Sequence, residues 1–154
     1  MGLLDQALPK VVRRPISKEY VHAIMPLVQE RLKTLSEAPQ LMDFFFLEEL
    51  EYLADDLIQR GLDRKSTINT LDSTFQLVSD LKVWSAGHLE GELRPLAEKL
   101  EIKTGQLFGA IRVAVTGRKA APPLFETMEV LGRDRCLHRL RVSARLLSAD
   151  VSCQ

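Results

Sequence analysis

Apolar residues recur three and four positions apart along almost the whole chain, and nowhere do they settle into alternation with polar ones. Val21, Ile24, Met25, Val28, Leu32 and Leu35 form one stripe. Ile68, Leu71, Phe75, Val78 and Leu81 form a second, and Leu89, Leu93, Leu96 and Leu100 a third. Three more follow: Leu107, Phe108, Ile111 and Val115; Leu124, Phe125, Met128 and Leu131; Leu137, Leu140, Ala144 and Leu147. A helix gathers such positions on one face, whereas a strand scatters them over two. No turn dipeptide joins two β-branched runs. The single strand-like patch, around Val113, falls inside the Leu107–Val115 stripe. The expected fold is all-α.

Local signals divide the pattern into elements. Ser17 is placed to cap the first helix, and Pro26 inside its stripe predicts a kink or two abutting helices. A second helix is expected from about Ser36 to Phe46, with Gly61 ending the acidic segment that follows. Ser66 or Thr67 is expected to cap the helix of Ile68–Leu81, and a turn at Trp84–Gly87 to precede the next. Gly117 and Gly132 read as helix stops, and Pro122 and Pro123 fit only a first helical turn. Gly105 and Gly109, four apart, leave room for a second backbone to approach. The expected organisation is an arm (1–15), a helical N-terminal lobe (16–102), a basic C-terminal helical lobe (103–147) and a tail (148–154).

Charge distinguishes the two lobes. Residues 103–147 hold nine basic and three acidic residues, a net of +6, whereas residues 1–102 carry −5 and Asp150 another −1. A formal charge of zero thus hides a dipolar chain. A basic end of this kind suits a polyanion, nucleic acid foremost, or is simply a solvated face. No apolar run approaches the roughly 20 residues of a membrane helix, and the start lacks a signal-peptide pattern. Cys136 and Cys153 match no disulfide or metal spacing, which fits a reducing cytoplasm. The histidines His22, His88 and His138 are too scattered for a zinc site. The expected cofactor complement of this chain is none.

The segment TGQLFGAIRVAVTGRKAAPPLFETMEVLGRDRCLHRL, Thr104 to Leu140, resembles the C-terminal anticodon-binding domain of bacterial glutamyl-tRNA synthetases. That family carries a Leu-(Tyr/Phe)-x-x-(Leu/Ile)-Arg-x-Ala-(Leu/Val)-Thr-Gly segment, then a Pro-(Pro/Gly)-Leu-Phe-Glu helix start and a Leu-Gly-(Lys/Arg)-(Asp/Glu)-Arg run. MPLVQERLKTLSEAPQLMDFFF, Met25 to Phe46, is similar to the segment that opens the same region. The resemblance covers roughly Ile16 to Leu147. It implies a helical anticodon-binding domain whose partners are tRNA of the glutamate isoacceptors and the catalytic domain of the same synthetase, with neither DNA nor a membrane involved. The ATP-binding and Lys-x-Ser-Lys-type signatures of a class I synthetase are missing, so ATP and Mg would belong to the catalytic domain and this chain is expected to be inactive alone. The alternative is a free-standing helical RNA-binding or protein-interaction module derived from such a domain.

The resemblance also implies site residues. Arg31 matches the arginine that contacts the third anticodon base; otherwise it pairs with Glu30 or Glu37. Arg112 matches the arginine near the first two bases; otherwise it supports the following loop. Ala121, Pro122, Leu124 and Phe125 match the loop and helix start set against the first base, where unpaired bases stack on apolar surface. The family commonly has Thr or Ser near Ala121, so a hydrogen bond is not carried over there. From charge, Arg118 and Lys119 are expected phosphate contacts, and Arg133, Arg135 and Arg139 either follow the tRNA backbone or are solvated.

Overall fold

The computed structural model describes residues 18–28, 44–47, 50, 52, 54–118 and 123–152, the side chains of 28 and 149–152 excepted. These residues form helices α1 (Lys18–Val28), α2 (Ala54–Leu57), α3 (Arg64–Ser79), α4 (Ala86–Lys99), α5 (Thr104–Thr116), α6 (Leu124–Leu131) and α7 (Arg133–Ser152). Residues 44–46 add one helical turn, and no strand occurs among the described residues. None of the helices is long and apolar enough to cross a membrane.

The apolar stripes turn inward together. Ile24, Leu57, Leu71, Val78, Leu89, Leu93, Leu107, Ile111, Met128, Leu140 and Leu147 are all buried in one core, with Phe44, Phe45 and Phe46 among them. The most extensive helix pairing joins α3 to α7, across the 102/103 division of the sequence. α3 buries Thr67, Thr70 and Thr74, and α7 buries Ser143. Each hydroxyl donates to the carbonyl four residues back, at 2.8 Å in every case, so these polar groups enter the interior already satisfied. Arg64 ties the two helices again by donating to Leu147 O at 3.1 Å.

Helix ends differ from the sequence expectation in instructive ways. Asp63, not Ser66 or Thr67, caps α3: its Oδ1 accepts from Ser66 N at 2.7 Å. That donor holds the Asp63 carboxyl below the usual carboxylate range. Thr67 lies one turn inside, its hydroxyl committed to Asp63 O. Ser85 caps α4, so Gly87 is helical rather than part of a turn. α1 runs on through Pro26, which is exposed. The Ser17 cap and most of the Ser36–Phe46 helix lie outside the described residues. In the acidic segment the described helix is only Ala54–Leu57, and the Gln59 amide donates to the carbonyls of Asp56 and Leu57 at its end. Gly61 then turns with φ of 91°.

The glycine pair on α5 also differs. Among the described residues, a Cβ on Gly109 would first strike the Gln59 side chain, and one on Gly105 would meet nothing within 4 Å, so the space is met by a side chain or left open. Gly117 and Gly132 do stop α5 and α6, both at positive φ, 74° and 88°. α4 ends instead on Glu101, a side-chain-bearing residue at φ 58°. Pro123 is the cap of α6 rather than part of its first turn.

Candidate nucleic-acid interface

Arg112, Arg118 and Arg139, from the basic segment 103–147, meet at the C-terminal end of α5. The last carbonyls of a helix need partners from outside its regular ladder, and toward this end four in a row, residues 112–115, have donors. Thr116 Oγ1 donates to Arg112 O at 2.6 Å, and Gly117 N to Val113 O at 2.7 Å. Tyr52 Oη donates to Ala114 O at 2.7 Å, and Arg139 Nη1 to Val115 O at 2.6 Å. Three of these donors come from side chains, two of them distant in sequence. The end of α5 and the turn that leaves it are therefore fixed from several sides.

Arg112 and Arg118 flank this end. Arg112 is half-buried, with its Nε enclosed without an acceptor among the described residues. Arg118 leaves the turn after Gly117, its amide held by Thr116 Oγ1 at 3.2 Å. Its guanidinium lies over the Phe44 ring, 5.7 Å from the centroid. Lys119, Ala121 and Pro122 lie outside the described residues, as does Arg31.

The start of α6 follows a few residues later in the sequence. Pro123 is exposed at the cap. Leu124 is only 4% exposed, so it anchors α6 in the core. Phe125 is half-buried and meets Phe108 edge-to-face, centroids 5.0 Å apart. Arg94, paired with Glu90 at 2.6 Å, sits 5.5 Å from the Phe108 centroid. The outward elements here are thus Pro123, part of Phe125 and Arg94. Pro123 and Arg94 escaped the sequence reading, the first because Pro122 took its place, the second because it lies in another helix.

The three arginines at the start of α7 face inward. Arg139 is 1% exposed: beyond Val115 O, its Nη2 donates to Phe44 O at 2.6 Å and Leu47 O at 2.8 Å. It is neither solvated nor on a surface that could follow RNA. Burial lowers its pKa to about 10, still high enough to keep the charge at neutral pH. Arg135 Nη1 donates to Phe45 O, whose second donor is Tyr20 Oη at 2.8 Å. Burial raises the Tyr20 phenol, with Arg135 and Arg139 opposing. Arg133 Nη2 donates to Leu81 O, and its guanidinium lies 5.6 Å from the centroid of Trp84, whose Nε1 donates to Met128 O at 2.9 Å. These side chains bind segments of the protein together. The sequence signal for Arg139 was present: it stands three residues after Cys136 and four before Ser143, on the buried face.

Comparison with known proteins identifies the family. A family model described as anticodon binding domain matches residues 2–144, reaching further toward the N-terminus than the resemblance read from Ile16. A glutamate–tRNA ligase of Roseiflexus castenholzii is 44% identical over 135 residues, 88% of this chain and 27% of that protein. The glutamate–tRNA ligase of a second Roseiflexus, strain RS-1, is 46% identical over 136 residues, 87% of this chain and 26% of its own length. The chain thus spans about a quarter of the curated relatives it matches. A solved glutamate tRNA ligase from Elizabethkingia meningosepticum superposes with a TM-score of 0.71 at 18% identity, over 95% of this chain and 28% of that one, which shows a shared all-α fold. With its family model matched from residue 2 to 144, the chain belongs to the anticodon binding domain family.

Proposed function

We propose that this chain recognises the anticodon loop of glutamate tRNA as the non-catalytic part of a glutamate–tRNA ligase. The observation that carries the proposal is the match of nearly the whole chain to an anticodon binding domain, among relatives named glutamate–tRNA ligases. The geometry supports it. The end of α5 is rigidly capped and presents Arg112 and Arg118, and the start of α6 presents Pro123 and Phe125. A guanidinium reads base edges or phosphate, and apolar surface receives splayed bases. Lys119, Ala121 and Pro122 lie between Arg118 and Pro123 in the sequence and are proposed to complete the site. Arg139 acts from within, and Leu124 by holding α6.

The proposed partners are the glutamate isoacceptors and the catalytic part of the same ligase, in the cytoplasm. ATP and Mg would be bound by that catalytic part. Arg31 is the proposed reader of the third anticodon base. Cytosine offers acceptors at O2 and N3, whereas guanine, found there in glutamine tRNA, presents donors at N1 and N2. The test compares affinities for two anticodon stem-loops that differ only at this base. Arg31→Gln should shrink the preference by about 1–3 kcal/mol, by analogy with a good bidentate base contact. An unchanged ratio would mean that Arg31 is an ordinary surface arginine.

A further inference from the structure

Arg139 joins two segments that the site needs. Its Nη1 takes the last of the four accepted carbonyls of α5, Val115 O, one residue before Thr116 anchors Arg118. Its Nη2 takes Phe44 O and Leu47 O, at the two ends of the helical turn 44–46. The ring of Phe44 in turn lies under the guanidinium of Arg118. One buried fork therefore fixes both the backbone from which Arg118 departs and the platform on which it rests. The location is suited to a cation, since Val115 O belongs to the C-terminal turn of α5 and the other two acceptors are backbone carbonyls as well. A guanidinium supplies this bridge because its two terminal nitrogens point in fixed, diverging directions. An ammonium donates from one nitrogen and does not reproduce this two-nitrogen fork.

We propose that Arg139 is a positioning residue of the RNA-binding site: by clamping Val115 O together with Phe44 O, it sets the pose of Arg118. The RNA part of this inference rests on the proposed anticodon-binding function; the positioning itself does not.

Two measurements test it on the whole chain. The first needs no RNA. In the parent, the Arg118 Nε–H resonance should be shifted by the Phe44 ring current and show cross-peaks to that ring. Arg139→Lys should abolish the shift while the backbone amide spectrum stays folded. Absent cross-peaks in the parent, or an unchanged shift in Arg139→Lys, overturns the proposal. If Arg139→Lys does not fold, Arg139→Gln, which can reach only one carbonyl set, replaces it, and the parent cross-peaks remain decisive. The second measurement is a double-mutant cycle with an anticodon stem-loop. Arg118→Ala should weaken binding about tenfold and Arg139→Lys about three- to tenfold, whereas the double variant should be no weaker than about twofold below Arg118→Ala. Losses that multiply would mean that Arg139 acts independently of Arg118, against the proposal. A parent chain that does not bind the stem-loop removes the anticodon reading, and the resonance test still decides the role of Arg139.

Discussion

The two faces of α7 carry the same residue type to opposite ends. Arg133, Arg135 and Arg139 bind carbonyls of other segments, whereas Arg141 and Arg145 are exposed. Helical period alone separates Arg139 from Arg141. Cys136, Arg139, Leu140, Ser143, Ala144 and Leu147 lie on the buried face, and Asp134, His138, Arg141, Arg145 and Ser148 follow one another on the exposed one. A sum of charges over a segment therefore overstates the field it presents. Of the +6 in residues 103–147, Arg139 contributes from the interior, with backbone dipoles for partners.

The sharpest way to break this contrast is to remove one arginine from each face. Arg139→Ala leaves three buried carbonyls without their donor and should lower unfolding stability by about 3–5 kcal/mol. Arg141→Ala loses only a ring contact, 4.5 Å to the Phe75 centroid, and should lower it by less than about 1 kcal/mol. Urea unfolding of the two variants decides; similar losses would erase the distinction.

The contrast extends to RNA. Arg118→Ala should reduce the slope of log affinity against log salt by about 0.7–0.9, as the loss of one phosphate contact does. Arg133→Ala should leave that slope intact in the folded protein, because its guanidinium is held at Leu81 O and Trp84. A filter-binding titration with an anticodon stem-loop separates the two, and equal changes in slope would make Arg133 a phosphate contact after all.

The buried face of α7 also has a pH signature. Burial pushes the Cys136 thiol from 9.0 up to about 12, with Arg139 and Arg135 only partly opposing. The folded pKa is raised, so the unfolded chain loses this proton first. The contribution is complete below about pH 9 and is lost as pH climbs toward 12. Between pH 8 and 10 the parent should lose about 1 kcal/mol more stability than Cys136→Ala, read from denaturant midpoints at each pH. Equal losses would place the thiol in a wetter setting.

The smallest expected effect lies outside α7. Glu101 adopts φ 58° just after α4, where glycine carries no Cβ penalty. Glu101→Gly should raise stability by about 0.5–1 kcal/mol. A lower melting temperature in this variant would show that the Glu101 side chain does more than tolerate the turn.

The helical class and most of the core were legible because period 3.6 survives any local detail: Leu89, Leu93, Leu107, Ile111, Met128 and Leu140 are buried as their spacing requires. Caps were less legible. Asp63, Ser66 and Thr67 are all competent acceptors, and only the first residue of α3 chooses among them. The Gly105/Gly109 pair misled because its spacing says that space exists but not what fills it, here the Gln59 side chain. Arg139 was assigned to the surface because its charge was weighed above its position. Carbonyl acceptors contributed by residues 44, 47 and 115 carry no side-chain signature, so such a clamp appears only once distant segments are in place.

The pairing of α3 with α7 bears on how the chain is made. On a ribosome, residues 64–79 emerge well before the helix that covers their buried threonines, and Arg64 must wait for Leu147 O. Such late, non-local closure slows folding and leaves an earlier apolar surface uncovered during synthesis. The emerging intermediate is expected to stay open to proteases and chaperones until the last turns of α7 are released.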